Sequence, residues 1–346
     1  MRIKIVAGLA AAFGMAMSSL GQAADAGKLS IYCWSEYVPQ GVVDAFTKET
    51  GIKVSVENYA SNEEMLAKLG LAEGAYDLIQ PSEYVIEQLK KDGKLEELDH
   101  ANIPNLKNIA PEFRNLSFDE GSKFSVPWMA GTVGIVVNTS KVKTPVKGYE
   151  DVFNEQFKGK IVVLDDAREM VSWALATLGV PVNDINAETL AKAKPILEKW
   201  IPMVQVFDSD SPKTALANED VVLGIVWNGE GAKLYSDDKK FQWVLPAQGA
   251  HLFVDSLAVP KGAKNKANAE KFIDFILRPE ISKMISDDFP YLNPNLEARK
   301  LLSEDQLKNP ASFPTAEELA KLEVFKALDD ATAQAIDKLV TDLRSQ

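Results

Sequence analysis

An α/β architecture in two units is predicted by three features of the sequence. Short apolar runs with period-two alternation recur between stretches of helical period, the first of them fall in the order β-α-β-α-β, and a second such series resumes after an Asn- and Pro-rich interruption. Leu29, Ile31 and Cys33 alternate in a first strand, Lys28 to Cys33, and Pro39 ends the extended segment after it. Val42, Val43 and Phe46 mark a helix ended by Gly51, and Ile52, Val54 and Val56 alternate as a second strand. Ser61 to Glu64 has capping-box spacing, a hydroxyl and a carboxylate three residues apart that satisfy the first free amides of a helix. Met65, Leu66 and Leu69 follow on one face of that helix. Tyr76 to Gln80 is a short buried strand, and Pro81-Ser82 turns it into a helix carrying Tyr84, Val85, Ile86 and Leu89. Strands joined by helices in this order run parallel, with right-handed crossovers.

Residues 101–119 read as loop, and Gly134 to Asn138 as a buried strand leading to the second unit. Its strands are Ile161 to Leu164, Val204 to Phe207 and Val221 to Trp227, with helices from Arg168 to Leu178 and from Leu190 to Trp200. Leu252 to Val259 is a further strand, and Lys266 to Leu277 a helix stopped at Pro279. From Thr315 onward the chain reads as helix, with Leu319, Leu322, Phe325, Leu328, Ile336, Leu339 and Leu343 at helical spacing.

The 346 residues, 46% hydrophobic and 25% charged, suffice for two domains of about 150 residues each. A formal net charge of −12 argues against a nucleic-acid or anionic-membrane partner and tolerates cationic ligands. Arg2 and Lys4 precede an apolar run from Ile5 to Met17, with small residues at Ala23, Ala24 and Ala26. This is the pattern of a secretory signal peptide, residues 1–24, and the run is shorter than the ~20 residues of a spanning helix. Losing Arg2 and Lys4 with it takes the net charge from −12 to −14. The lone Cys33 excludes an intramolecular disulfide and a multi-cysteine metal site, and neither a metal nor a cofactor is expected.

Trp34-Ser35-Glu36-Tyr37 follows the first strand. Ligands of open α/β sheets bind outside the carboxyl ends of strands. Two aromatics and an acid there suit an organic cation, which is attracted by ring faces and bonded by the carboxylate. Asp165-Asp166-Ala167-Arg168-Glu169 lies between a strand and a helix. Asp166 with Glu169 three residues on is also the pattern of a helix cap. Trp227 ends a strand, and Asp255 sits among Leu252, Phe253, Val254 and Leu257. A carboxylate in such surroundings needs a partner, either a backbone amide or a ligand ammonium. Tyr84 and Tyr291 are ordinary tyrosines if taken singly. No G-x-S-x-G, P-loop, H-E-x-x-H or complete G-x-G-x-x-G occurs. The two histidines, His100 and His251, are expected on the surface or in loops. Paired acids leave a secreted glycosidase open as the enzyme alternative, with Asp166 or Glu169 as acid.

These segments, together with 46–54, Tyr76-Asp77-Leu78-Ile79 through Pro81-Ser82, Trp227-Asn228-Gly229, 255–260 and 294–302, resemble the periplasmic spermidine/putrescine-binding proteins of polyamine ABC importers, over essentially the whole mature chain. The resemblance implies no enzyme but a type II-like binding protein of two α/β lobes, each a mostly parallel sheet flanked by helices, closing on a ligand between them. The first lobe is expected to hold residues 25–131 plus about 256–297, and the second 132–255 plus about 298–346. It further implies that Trp34, Glu36, Tyr37, Tyr84, Asp166, Glu169, Trp227, Asp255 and Tyr291 contact a polyamine, with Ser35, Ser82 and Phe253 completing the site. A membrane permease is the implied partner, the periplasm the implied location, and a monomer the implied state. Ser35 and Phe253 resemble the putrescine-preferring branch, whereas Asp-Ala-Arg-Glu and Trp-Asn-Gly resemble the spermidine-preferring one. No glutamine stands near Val324-Phe325, where spermidine binders carry one. Putrescine versus spermidine stays open, as do another amine, such as agmatine, thiamine or a sugar.

Overall fold

The computed structural model describes residues 27–35 and 37–345. The expected signal peptide and Glu36 lie outside the described residues. Ten strands form one continuous network: β1 (Lys28–Trp34), β2 (Lys53–Tyr59), β3 (Leu78–Ile79), β4 (Ser125–Asn138), β5 (Ile161–Val163), β6 (Val206–Phe207), β7 (Leu223–Trp227), β8 (Phe241–Val244), β9 (Ala250–Ala258) and β10 (Leu322–Glu323). Their order is β2-β1-β3-β9-β4-β7-β5-β6, with β10 beside β9 and β8 beside β4. The β-α-β-α-β start pairs β1 with β2 and with β3 in parallel, and β5 pairs in parallel with β6 and β7. The sheet is nevertheless mixed, because β4 and β9 run antiparallel to each other and to neighbours β7, β8 and β3.

The two long strands join two lobes. The first half of β4, from Ser125 to Thr132, pairs with β9, and the second, from Val133 to Asn138, pairs with β7 and β8. Only the last five residues of β4 read as strand in the sequence. Pro127 hid the rest, since proline lacks a ladder donor; it sits where the register shifts between Pro127 and Met129.

Each lobe buries both faces of its strands. Leu29 and Ile31 of β1 pack with Phe46, Ile52 and Phe272 on one side, while Tyr32 packs with Tyr59, Val85 and Ile86 on the other. In the second lobe Ile135, Val163 and Ile225 meet Trp173, Leu197 and Val340, and Val136, Val162 and Val226 meet Leu216 and Phe241. Each such side chain contributes about 1.5–3 kcal/mol by leaving water.

Local signals were mostly well placed. Gly51 ends the helix Gln40–Thr50 in the left-handed region, φ 75°, which glycine adopts without steric cost. Ser61 caps the helix Asn62–Leu71 by accepting from the Glu64 amide at 3.1 Å. The return bond of Glu64 goes to the Ala60 amide instead of that of Ser61. Three corrections follow. The span 101–119 contains short helical turns, Pro104–Asn108 and Pro111–Arg114, nucleated by prolines at their starts. The helix Asn228–Asp237 was hidden by Gly229 and Gly231, which are there for close packing; a β-carbon on Gly231 would stand 2.5 Å from the Trp243 ring. The tail from Thr315 is not one helix. Leu322 and Glu323 add to β9 as β10, Phe325 is buried, and only Asp330–Arg344 is a long helix, burying Ile336, Val340 and Leu343.

Candidate functional site

The polar ends of several strands converge on one cleft. Trp34 and Ser35 leave the carboxyl end of β1, Ser82 and Tyr84 follow β3, Asp166 and Glu169 follow β5, and Trp227 ends β7. All of these line a cleft enclosing about 730 Å³, its open mouth included, together with Tyr37, Phe253, Asp255 and Tyr291. Every expected site residue among those described therefore shares one cavity.

Its walls are aromatic and locked. Trp227 donates its indole N–H to the Ser209 carbonyl at 3.1 Å and lies edge-on to Phe253 at 5.5 Å. Phe253 in turn meets Tyr291 at 5.8 Å, and Tyr291 meets Tyr37 at 5.2 Å. Two glycines make this approach possible. A β-carbon on Gly131 would fall 2.0 Å from Asn228 Oδ1 and 2.5 Å from Phe253 Cζ, and one on Gly229 would fall 2.5 Å from Tyr291 Cζ. Asn228 ties the wall to the crossing strand, accepting from the Thr132 amide at 3.1 Å and donating to the Ala311 carbonyl at 3.0 Å. The Trp-Asn-Gly sequence thus holds one ring, braces the strand and seats another ring.

The acids occupy contrasting surroundings. Asp255 is buried and accepts from the Ser82 hydroxyl at 2.7 Å, with the Tyr37 hydroxyl in bonding reach. Its partners are hydroxyls, whereas a backbone amide or a ligand was expected. Burial raises its carboxyl to about 7, opposed by the Ser82 bond and helped by the nearby charge of Glu83. Burial also keeps the Tyr37 phenol well above its ordinary range, so it stays a donor. Asp166 caps the helix Ala167–Thr177 by accepting from the Glu169 amide at 3.0 Å. Burial, then the neighbouring carboxylates of Glu169 and Glu63, raise it to about 7. Cap and cleft wall are the same residue.

Glu169 does not return the cap. Its Oε2 accepts from Trp173 Nε1 at 3.0 Å, and its Oε1 lies 2.7 Å from His251 Nδ1. The other face of this arrangement is Glu83, whose Oε1 lies 2.9 Å from His251 Nε2 and whose Oε2 accepts from the Val254 amide at 2.9 Å. His251 is only 4% exposed, which corrects its expected place on the surface or in a loop. Burial disfavours its charge, but the Glu83 and Glu169 carboxylates outweigh burial and hold the imidazole up at about 9. Phe325 stacks on the ring at 3.6 Å between centroids, and the Arg168 guanidinium lies 4.0 Å from the centre of Phe325. His251, Glu83, Arg168 and Phe325 were all missed. The signal was present for His251, which alternates with Phe253 and Asp255 on one face of a strand. His100, by contrast, is exposed as expected.

Among the described residues no group of acids, histidines and cysteines is arranged to hold a metal ion. No helix among them is long and apolar enough to cross a membrane.

Comparison with known proteins agrees with this geometry. Residues 41–315 match the family described as bacterial extracellular solute-binding protein. The spermidine/putrescine-binding periplasmic protein of Salmonella typhimurium is 38% identical, the match covering 95% of this chain and 94% of that protein. The putrescine-binding periplasmic protein SpuD of Pseudomonas aeruginosa is 32% identical over 97% of both chains. A solved structure of the spermidine/putrescine ABC transporter substrate-binding protein PotD of Streptococcus pneumoniae superposes with a TM-score of 0.79 at 33% identity, covering 92% of this chain and 99% of that one. A fold of two α/β lobes around a cleft, a matching family over most of the length and relatives of this kind lead to one assignment: the chain belongs to the bacterial extracellular solute-binding proteins, alongside the spermidine/putrescine-binding periplasmic proteins.

Proposed function

We propose that this protein captures a polyamine, putrescine or spermidine, in the cleft between its lobes and delivers it to the membrane permease of an ABC importer. The observation that carries this reading is the pair of carboxyls, Asp255 buried and Asp166 half-buried, in a cleft walled by Trp34, Tyr37, Trp227, Phe253 and Tyr291. Both are raised to about 7. An arriving ammonium supplies the opposite charge that each lacks, and the rings cover the methylene chain between. Trp34, Ser35, Glu36, Tyr37, Ser82, Tyr84, Asp166, Glu169, Trp227, Phe253, Asp255 and Tyr291 form the proposed ligand-contacting set.

The lobes in this proposal are residues 25–131 with about 256–297, and 132–255 with about 298–346. Supporting most of this division, one set of core clusters draws on residues up to 130 and on 253–292, and the other on 133–241 and 336–343, with Phe253 and Val254, just before the proposed boundary, packing with the first lobe. Ligand contacts from both lobes favour the closed form over the open one, which is what closure requires. The protein is proposed to be exported by residues 1–24 into the periplasm, to work as a monomer, to bind without chemical turnover and to have no nucleic-acid partner. The net charge of −12 supports the last point.

Isothermal titration of the mature protein, stripped of ligand by unfolding and refolding, tests the reading with putrescine and spermidine separately. Micromolar or tighter binding of either is expected. If neither binds, the family stands and the polyamine assignment falls.

A further inference from the structure

Strand β9 presents His251, Phe253 and Asp255 toward the cleft. Side chains two apart share a strand face, and four residues of strand span about 13 Å. A ligand lying along β9 therefore meets an acid, a ring and then a base. The base is fixed on both sides, with Nδ1 2.7 Å from Glu169 Oε1 and Nε2 2.9 Å from Glu83 Oε1. An ionised carboxylate only accepts hydrogen bonds, so both ring nitrogens must carry protons for both contacts to be bonds. The opposite arrangement, a carboxylic acid donating through Oε1 to a bare nitrogen, is disfavoured because the two carboxylates together hold the imidazole up at about 9 and because both acids accept further bonds that favour their ionised form. Glu169 Oε2 already accepts from Trp173, Glu83 Oε2 from the Val254 amide, and Glu83 Oε1 also from the Phe325 amide at 3.2 Å.

Other charges around the ring come from each neighbouring element. Arg168, on the helix that carries Glu169, lies over Phe325. Asp166 stands at the cap of that helix, and Asp255 on β9 itself; both sense the charge of His251. Asp166 has one oxygen on the Glu169 amide, and its other oxygen has no bond among the described residues. Of the cleft acids at this end, Glu169 is already neutralised from within and Asp166 is not.

We propose that His251 is a built-in cation that occupies the place of a ligand ammonium beside Glu169, so that the cleft takes a ligand with two ammonium groups, held at Asp255 and Asp166, and selects a diamine over a triamine. The proposal rests on the polyamine reading above. A third ammonium brought to the Glu169 end would meet the imidazolium, and like charges at such distances in a desolvated site exact a discrimination that two-charge ligands escape.

The test is titration of putrescine and spermidine into the wild-type protein and into His251→Leu, which removes the charge and keeps the bulk. Wild type is expected to favour putrescine at least tenfold. In the variant, Glu83 and Glu169 are left with a vacant cation position, and the ratio of the two dissociation constants should move at least tenfold toward spermidine. A wild-type preference for spermidine, or an unchanged ratio in the variant, overturns the proposal. Wild type binding neither polyamine sinks the functional reading instead, so the two failures are distinguishable. Should His251→Leu not fold, the imidazole ¹⁵N spectrum of His100→Asn at neutral pH reads His251 alone, since the chain has 2 histidines. Two protonated nitrogens are expected, and one bare nitrogen overturns the built-in cation.

Discussion

Gly229 and Tyr291 are in direct contact across the cleft wall, so close that a β-carbon on the glycine would stand 2.5 Å from the tyrosine's Cζ. The helix that begins at Asn228 thereby offers bare backbone as the seat for a ring from a segment some sixty residues later. Gly229→Ala is expected to displace Tyr291 and, through it, Tyr37 and Phe253. Overpacking of this kind costs about 1–3 kcal/mol. The measurements are the melting temperature and polyamine affinity, and both should fall; a variant with unchanged affinity would show that Tyr291 does not touch the ligand.

Asp255→Asn preserves shape and removes charge. Polyamine affinity should drop at least tenfold, which is about 1.4 kcal/mol, while the fold persists on the Ser82 and Tyr37 hydroxyls. Glu169→Gln should also weaken binding, because it leaves the His251 charge less compensated beside the cleft, and should lower the melting temperature, because it loosens His251 and Trp173 together. Near-normal affinity in both variants contradicts the proposed site.

Binding should depend on pH in a defined direction. Asp166 and Asp255 hold their protons up to about 7 in the empty protein, whereas an ammonium prefers the carboxylates. Affinity therefore falls as pH drops below 7, by as much as tenfold per unit for each group that must ionise. Calorimetry in two buffers of different ionisation enthalpy would reveal the released protons at pH 6, and their absence there would count against these carboxyls as the ammonium partners.

Stability of the empty protein follows from the same groups. The two carboxyls bind protons more tightly folded than unfolded, so their contribution is present at low pH and is lost as pH rises from about 4 through 7. The contribution of His251, raised to about 9, is full below its ordinary 6.5 and is lost as pH rises through 9. Thermal melts of the ligand-free protein should show both declines. The first should be shallower in Asp255→Asn, and the second absent in His251→Leu.

Asn228→Ala leaves the Thr132 amide and the Ala311 carbonyl without their partner in a buried place. Each orphaned group costs about 1–3 kcal/mol. A drop in denaturation midpoint is expected, larger than that of an exposed control such as Asn218→Ala.

Much of this protein is determined by local sequence. Alternation at Leu29, Ile31 and Cys33 makes β1 a strand, Gly51 stops a helix because only glycine enters its backbone region freely, and Asp166 caps because its side chain reaches the third amide of its own helix. The aromatic and acidic residues at strand ends were legible as a site, because parallel topology sends those ends to one crevice. Tertiary structure alone decided the rest. Pro127 is admitted to a strand only because the register with β9 shifts there, and residues 322–325 leave helical form only because β9 offers an edge and His251 a ring face. The Glu83–His251–Glu169 arrangement joins residues separated by as many as 168 positions. No local propensity encodes such a contact, since removing three charged groups from water is costly and is offset only by their mutual attraction and hydrogen bonds, in an arrangement that the fold sets and the neighbouring sequence does not.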